Sequence, residues 1–289
     1  MKLVNLKVLA AALAAVLCLA SAVRAGEEPK GADDSVAVKA AKAVLEKHKD
    51  AIVEVRLVLK IKQSFGGREG GAREQKVEVN GTVIDPSGLT VISNVATDPS
   101  SMFSIDTGED SPQFKMDTSV ADVKIVLADG KEYPAKVVLR DKDLDLAFVR
   151  PDQKDLKLTS LELKAPAAEP KVLDEVIALT RLDRSANREP GVSVARIMSV
   201  IKKPRTHYVA MALMESGCPA FDAQGNVLGI TVMRISGAKG GGGFSMMSML
   251  PSVLPCADIL DAAKQVPAPG AEKKPKAEEK PAEAPKAEK

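Results

Sequence analysis

Apolar positions along this chain follow two periods. Near the start, Val36, Ala40, Ala43, Val44 and Lys47 share one side of a helix predicted from Val36 to His48, a narrow stripe. Ser35 stands where its hydroxyl can cap the first turn, and Asp33 and Asp34 lie near the positive end of the helix dipole. From Ile52 the period becomes two. Val53, Val55, Leu57, Leu59 and Ile61 fall on one face of a strand, and Val77, Val79, Gly81 and Val83 alternate again. Residues 64–73, rich in glycine, predict the hairpin loop between them. Asp85-Pro86-Ser87-Gly88 predicts a turn into a buried strand from Leu89 to Ile92.

Residues 97–122 read as a long loop of Pro, Ser, Asp and Gly. Strands are expected at 123–127, 133–139 and 145–149, with a hairpin turn at Ala128-Asp129-Gly130-Lys131. The Ala/Pro/Lys-rich stretch 164–171 predicts a linker. Further strands are expected at 175–179, 192–200, 208–213, 227–232 and 243–249, then a closing helix from about Ala257 to Lys264. Many short strands with regular turns predict an all-β protein of barrels or a sandwich, and the linker predicts two similar halves.

Both ends depart from this pattern. Lys2 and Lys7 precede an unbroken apolar run of 13 residues, Val8 to Ala20, and Val23-Arg24-Ala25 offers small residues where a signal peptidase reads. The run is shorter than the ~20 residues that span a bilayer. A signal peptide over 1–25 and an extracytoplasmic (periplasmic or secreted) location are therefore expected, with cleavage near Ala25 and no stable membrane span. At the other end, residues 267–289 hold six Lys, five Glu, five Pro, six Ala and one Gly, and nothing there can form a core. A solvated, disordered tail is expected. Between the ends lie a helical segment at 26–49, a first β-barrel at 50–163, and a second barrel with its closing helix at 164–266.

Charge and composition then exclude several functions. Without Lys2, Lys7 and Arg24, 38 basic residues face 39 acidic ones, so the mature chain lacks the positive field of a nucleic-acid binder. Aromatics are 3% with no Trp, too few for base-stacking platforms. Three cysteines and two histidines exclude a Cys/His zinc framework, and no motif implies a metal or a cofactor. Of Cys218 and Cys256, which alone survive cleavage, two separate buried thiols are favoured over a disulfide. Nothing in the sequence sets an oligomeric state.

One motif carries chemistry. Glu215-Ser216-Gly217-Cys218-Pro219 leads into a hairpin through Gln224-Gly225-Asn226 and Val227-Leu228-Gly229-Ile230. A nucleophilic serine needs such a tight, glycine-supported turn to expose its hydroxyl and gather backbone N–H groups into an oxyanion hole. With Val126-Leu127-Ala128-Asp129-Gly130-Lys131, Asp143-Leu144-Asp145-Leu146-Ala147 and Gly81 to Ala96, it resembles the trypsin-like fold, specifically the exported HtrA/Deg proteases, over roughly residues 50–262. The resemblance implies a double β-barrel with a short N-terminal helix and a C-terminal helix. It also implies that Ser216 and Asp145 occupy two triad positions, that Met214, Glu215 and Ser216 form the oxyanion-hole segment, and that Gly240–Gly243 and the methionines at 246, 247 and 249 border the cleft. Beyond Ala262 only about 27 residues follow, mostly low-complexity, and no PDZ domain fits there.

The resemblance fails at the triad histidine. Aligning Ser93-Asn94 with the family's Thr-Asn places Ala96 there, and a one-residue slip places Val95. Neither side chain can take a proton. Met214 stands where the family has a glycine whose N–H completes the oxyanion hole. His48 and His207 lie away from the motif in sequence; a surface position is expected for the first, and the second lies on the strand leading to the motif. The expectation is an inactive pseudoprotease that holds a polypeptide or extended peptide in the inter-barrel cleft. A serine endopeptidase with residual or unorthodox activity is the alternative.

Overall fold

A computed structural model describes residues 35–66, 68–102, 114–166, 168–213, 215–235 and 249–269. The signal segment, Met214, Gly240–Gly243, Met246, Met247 and almost all of the tail lie outside the described residues. Helix α1 (Val36–His48) forms where the periodicity puts it, and Ser35 Oγ accepts from Val38 N at 3.1 Å. Its buried side is Ala37, Ala41 and Val44, one step round from the predicted stripe, leaving Val36 67% exposed.

The strands divide into two sheets. The first contains β1 (Ile52–Phe65), β2 (Arg68–Glu69), β3 (Arg73–Val83), β4 (Thr90–Ser93), β5 (Phe114–Val126), β6 (Glu132–Asp141) and β7 (Leu146–Pro151). Strand β1 pairs with both β3 and β5, which closes six strands into a barrel. Val53, Val55, Leu57, Leu59 and Ile61 all point into it, as the alternation predicts, and meet Ile92, Ile125 and Val149. The second sheet runs β10-β11-β14-β13-β12-β8-β9 and stays open, a half-barrel. Its strands are β8 (Glu175–Arg181), β9 (Pro190–Arg196), β10 (Ser199–Ile201), β11 (His207–Val209), β12 (Pro219–Asp222), β13 (Val227–Ile235) and β14 (Met249–Pro255), followed by helix α2 (Cys256–Ala263). The chain is thus a trypsin-like double barrel in architecture.

Several expectations need correction. The loop predicted to reach residue 122 ends by Phe114, because β5 pairs with β1 all the way to Phe65↔Phe114. Lys115, Asp117 and Ser119 alternate with Met116, Thr118 and Val120, so a two-residue period was present, with Met116 and Val120 packed on the barrel core and Thr118 interrupting the apolar face. Strand β1 likewise extends into the predicted hairpin loop. The single strand predicted over 192–200 breaks into β9 and β10, since Ile197 turns inward and is fully buried. The strand predicted over 208–213 is only His207–Val209. Strand β14 begins at Met249, where the predicted last strand ended; residues 243–248 lie outside the described set, and Pro251 and Pro255 argue against a strand on sequence alone.

A third cluster welds the halves together. Leu146 and Phe148 of the first sheet pack with Ile177, Leu179, Phe221, Ile230 and Leu254 of the second, closed over by Ala41 and Val44 of α1 and Ile259 of α2. Each such fully buried side chain contributes about 1.5–3 kcal/mol. Polar ties cross the same junction. Buried Arg181 donates through Nε to Ile52 O at 2.7 Å and through another nitrogen to Lys49 O, and Asn80 Nδ2 donates to Thr180 Oγ1 at 3.1 Å.

Candidate functional site

The turn bearing Ser216 is fixed by its neighbours. Gly217 has φ +80°, and a Cβ there would lie 2.3 Å from Asn80 O, so only glycine fits. Its N–H donates to Thr231 O at 2.7 Å, and its carbonyl accepts from Thr82 Oγ1 at 2.8 Å. Cys218 N donates to Thr231 Oγ1 at 3.0 Å. The motif is therefore clamped between β3 and β13. Ser216 itself is half-buried and Glu215 exposed. Among the described residues, Ser216 Oγ has no hydrogen-bond partner.

Asp145 is the opposite. It sits just before β7 in the left-handed region (φ +54°), is 8% exposed, and donors converge on its carboxylate while Asn94 N donates to its backbone carbonyl at 3.1 Å. Ser93 Oγ donates to Oδ1 at 2.9 Å and Oδ2 at 2.7 Å, Val95 N donates to Oδ1 at 3.0 Å, and Met233 N donates to Oδ2 at 3.1 Å. Burial raises its pKa above the usual carboxylate value, and these donors oppose the rise. The Met233 bond links the first barrel to β13. Residues 92–93 and 231–233 thus carry both features: Gly217 packs on Ile92 and Thr231, while Asp145 bonds Ser93 and Met233.

No base stands between them among the described residues. Val95 is half-buried and lines a groove beside Asp145, whereas Ala96 is 7% exposed and belongs to the first-barrel core. His48 is not a plain surface residue; its ring stacks on Phe221 at 5.4 Å, far from this chemistry in role. Burial and Lys47 lower its pKa. His207 lines the same groove as Asp145, but its Nδ1 lies 3.5 Å from Ser252 Oγ. Burial, reinforced by Arg234 and Arg205, lowers its pKa to about 4, so it is neutral and a weak base at pH 7. Cys218 and Cys256 are separate buried thiols, pushed up to about 12 and about 11 by burial and therefore unreactive at neutral pH.

Sequence reasoning named Asp145 and Ser216 but missed Ser93, Thr82, Thr231 and Met233, which hold them. Nothing in a lone serine or methionine marks such a role before the barrels are assembled. Among the described residues, no group of three or more His, Cys, Asp and Glu side chains is placed to hold a metal. No described helix is long and apolar enough to cross a membrane.

Comparison with known proteins agrees with this architecture. The model of the trypsin-like peptidase domain family matches residues 80–230. Nothing among curated proteins matches the sequence significantly. Among solved structures, a serine-to-alanine variant of the HtrA-type protease AlgW with a tripeptide aligns at 14% identity and a TM-score of 0.50, over 78% of this chain and 62% of that one. The same variant with a decapeptide aligns at 14% identity and 0.49, over 78% and 65%. This chain therefore spans less than two thirds of either neighbour, and at such identity the likeness is one of fold.

Proposed function

Because the chain belongs to the trypsin-like peptidase domain family, we propose that it keeps the protease fold without the protease reaction and binds extended polypeptide in the cell envelope. One observation carries the first half of this reading. Asp145, which in the family orients a histidine, has its two carboxylate oxygens taken by Ser93, Val95 and Met233, while Val95 and Ala96 offer no imidazole. A serine hydroxyl without a base is a weak nucleophile at neutral pH. Losing the histidine of a comparable triad costs on the order of 10⁶ in turnover.

Binding is supported by the edge of β13. Beyond Ile230 its pairing on the Pro219–Asp222 side ends, and Val232–Ile235 keep only β14 as a strand neighbour among the described residues. Met233 N already donates to Asp145, and the remaining backbone groups of this edge can add an extended chain by hydrogen bonds. The HtrA-type neighbour of matching fold was solved with a tripeptide. Export follows from the Lys2/Lys7 start, the apolar run and Val23-Arg24-Ala25, and mass spectrometry of the mature protein should read an N-terminus near Gly26; an intact Met1 would refute it.

The reading is tested by casein or peptide hydrolysis with Ser216→Ala as control. Equal background rates are expected. Ala96→His alone should restore nothing, because Asp145's oxygens already carry other donors and residue 96 is packed in the barrel core. Turnover that requires Ser216 in the unmodified chain would favour the endopeptidase alternative.

A further inference from the structure

The groove beside Asp145 has a volume of about 630 Å³ and is walled by both halves, with Val95 and Lys142–Asp145 on one side and Pro204, Arg205, His207 and Val232–Arg234 on the other. Its charges are nearly all spoken for. Lys142 Nζ pairs with Asp98 at 2.8 Å, Arg205 pairs with Asp258 at 3.2 Å, and Asp145 accepts from Ser93, Val95 and Met233. Asp143 lies exposed at the rim. Arg234 is different. Its guanidinium NH1 is fully shielded from solvent and has no acceptor among the described residues. A buried charged donor without an acceptor is costly, and the fork of a guanidinium suits a carboxylate once the Arg234 side chain turns its shielded NH1 toward the groove. Arg234 also lies on the segment of β13 that has only β14 as a strand neighbour among the described residues, so an extended chain paired beside it would pass close by.

We propose that Arg234 makes this groove a carboxylate-binding subsite, which selects polypeptides carrying an acidic side chain or a free C-terminus at that place. The inference rests on the peptide-binding reading above and adds its chemical preference. Neutral His207 forms part of the wall. It feels Arg234, Arg205 and Asp258 together, and a bound carboxylate would offset the two arginines and raise its pKa.

The test uses the full mature chain and small probes first. N-acetyl-glutamate α-amide presents a side-chain carboxylate, and N-acetyl-alanine presents a C-terminal one; N-acetyl-glutamine α-amide and N-acetyl-alanine amide are their neutral controls. Saturable NMR shifts of the Arg234 guanidinium and the His207 imidazole are expected with one or both acids and with neither amide, and the tighter acid identifies the source. Arg234→Met, which keeps the apolar stem, should weaken the acid at least about tenfold. Arg234→Lys should retain part of the binding and serves if the Met variant fails to fold. Absence of shifts at tens of millimolar acid, or equal shifts with the amides, overturns the proposal. Fluorescent extended peptides with Glu or Gln at one position then separate the two claims. Tight but equal binding of both keeps the peptide reading and sinks the carboxylate subsite. Saturable small-acid binding with no gain for the longer peptides keeps the subsite and sinks the peptide reading.

Discussion

Asp145 and Ser216 occupy the same junction yet differ in every respect that matters for catalysis. Asp145 is buried, meets donors at both oxygens, and bonds three groups: Ser93 of β4, Val95 of the turn after it, and Met233 of β13. Ser216 is half-buried and its hydroxyl bonds nothing among the described residues; only the backbone beside it is fixed. The contrast teaches that Asp145 is tied into the structure on all sides, while among the described residues no hydrogen bond links it to the serine. In a working triad the carboxylate acts through an imidazole. Here Ser93 donates to it, and Asp145 serves as a bolt between barrel and half-barrel.

The sharpest break of this comparison acts on backbone rather than chemistry. Gly217→Ala places a Cβ 2.3 Å from Asn80 O at φ +80° and should cost about 4 kcal/mol or more in urea unfolding. Asp145→Ala strands the donors of Ser93, Val95 and Met233 and puts Ala at a positive φ, for an expected loss of about 3 kcal/mol. A loss below the level of a surface change would show that the bolt carries nothing.

A pH titration probes the groove next. His207 is held at about 4 in the folded chain against 6.5 ordinarily, so as pH falls the unfolded chain takes the proton first. Its contribution to stability is intact above 6.5 and falls until about pH 4, on the order of 3 kcal/mol in all at about 1.4 kcal/mol per pH unit. Asp145 acts with the opposite sign: its raised pKa makes the folded state the better proton acceptor, which adds stability as pH falls through that value. His207→Gln should flatten the loss between 6.5 and 4 in chemical denaturation series; an unchanged slope would refute the assignment.

The smallest effect is expected at the serine itself. Ser216→Ala removes a hydroxyl with no partner among the described residues and should alter stability by no more than about 0.5 kcal/mol. A larger loss would mean that Ser216 is as structural as Asp145.

The double-barrel framework was legible because period-two alternation in residues 53–61 and 77–83 directly reports a barrel interior, and because glycine at 217 and turns at 85–88 and 128–131 punctuate it. The part of β5 over 114–122 escaped because Thr118 breaks the apolar face of Met116 and Val120 and polar residues fill the other, and β14 because prolines interrupt it. At the site, Asp145 and Ser216 stood out as chemistry-bearing residues in an ordered set of motifs. Ser93, Met233 and Arg234 did not, since each acquires its role only when β4 and β13 meet across the junction, a long-range pairing that no local pattern encodes.

The central claim is that Ser216 is an ordinary alcohol, and covalent labelling measures this most directly. The mature protein and its Ser216→Ala variant are incubated with a fluorophosphonate at neutral pH, and the adduct is located by peptide mass spectrometry. The account predicts equal, background labelling of the two proteins with no adduct on Ser216. Time-dependent, stoichiometric modification of Ser216 in the unmodified chain, abolished by Ser216→Ala, would contradict it.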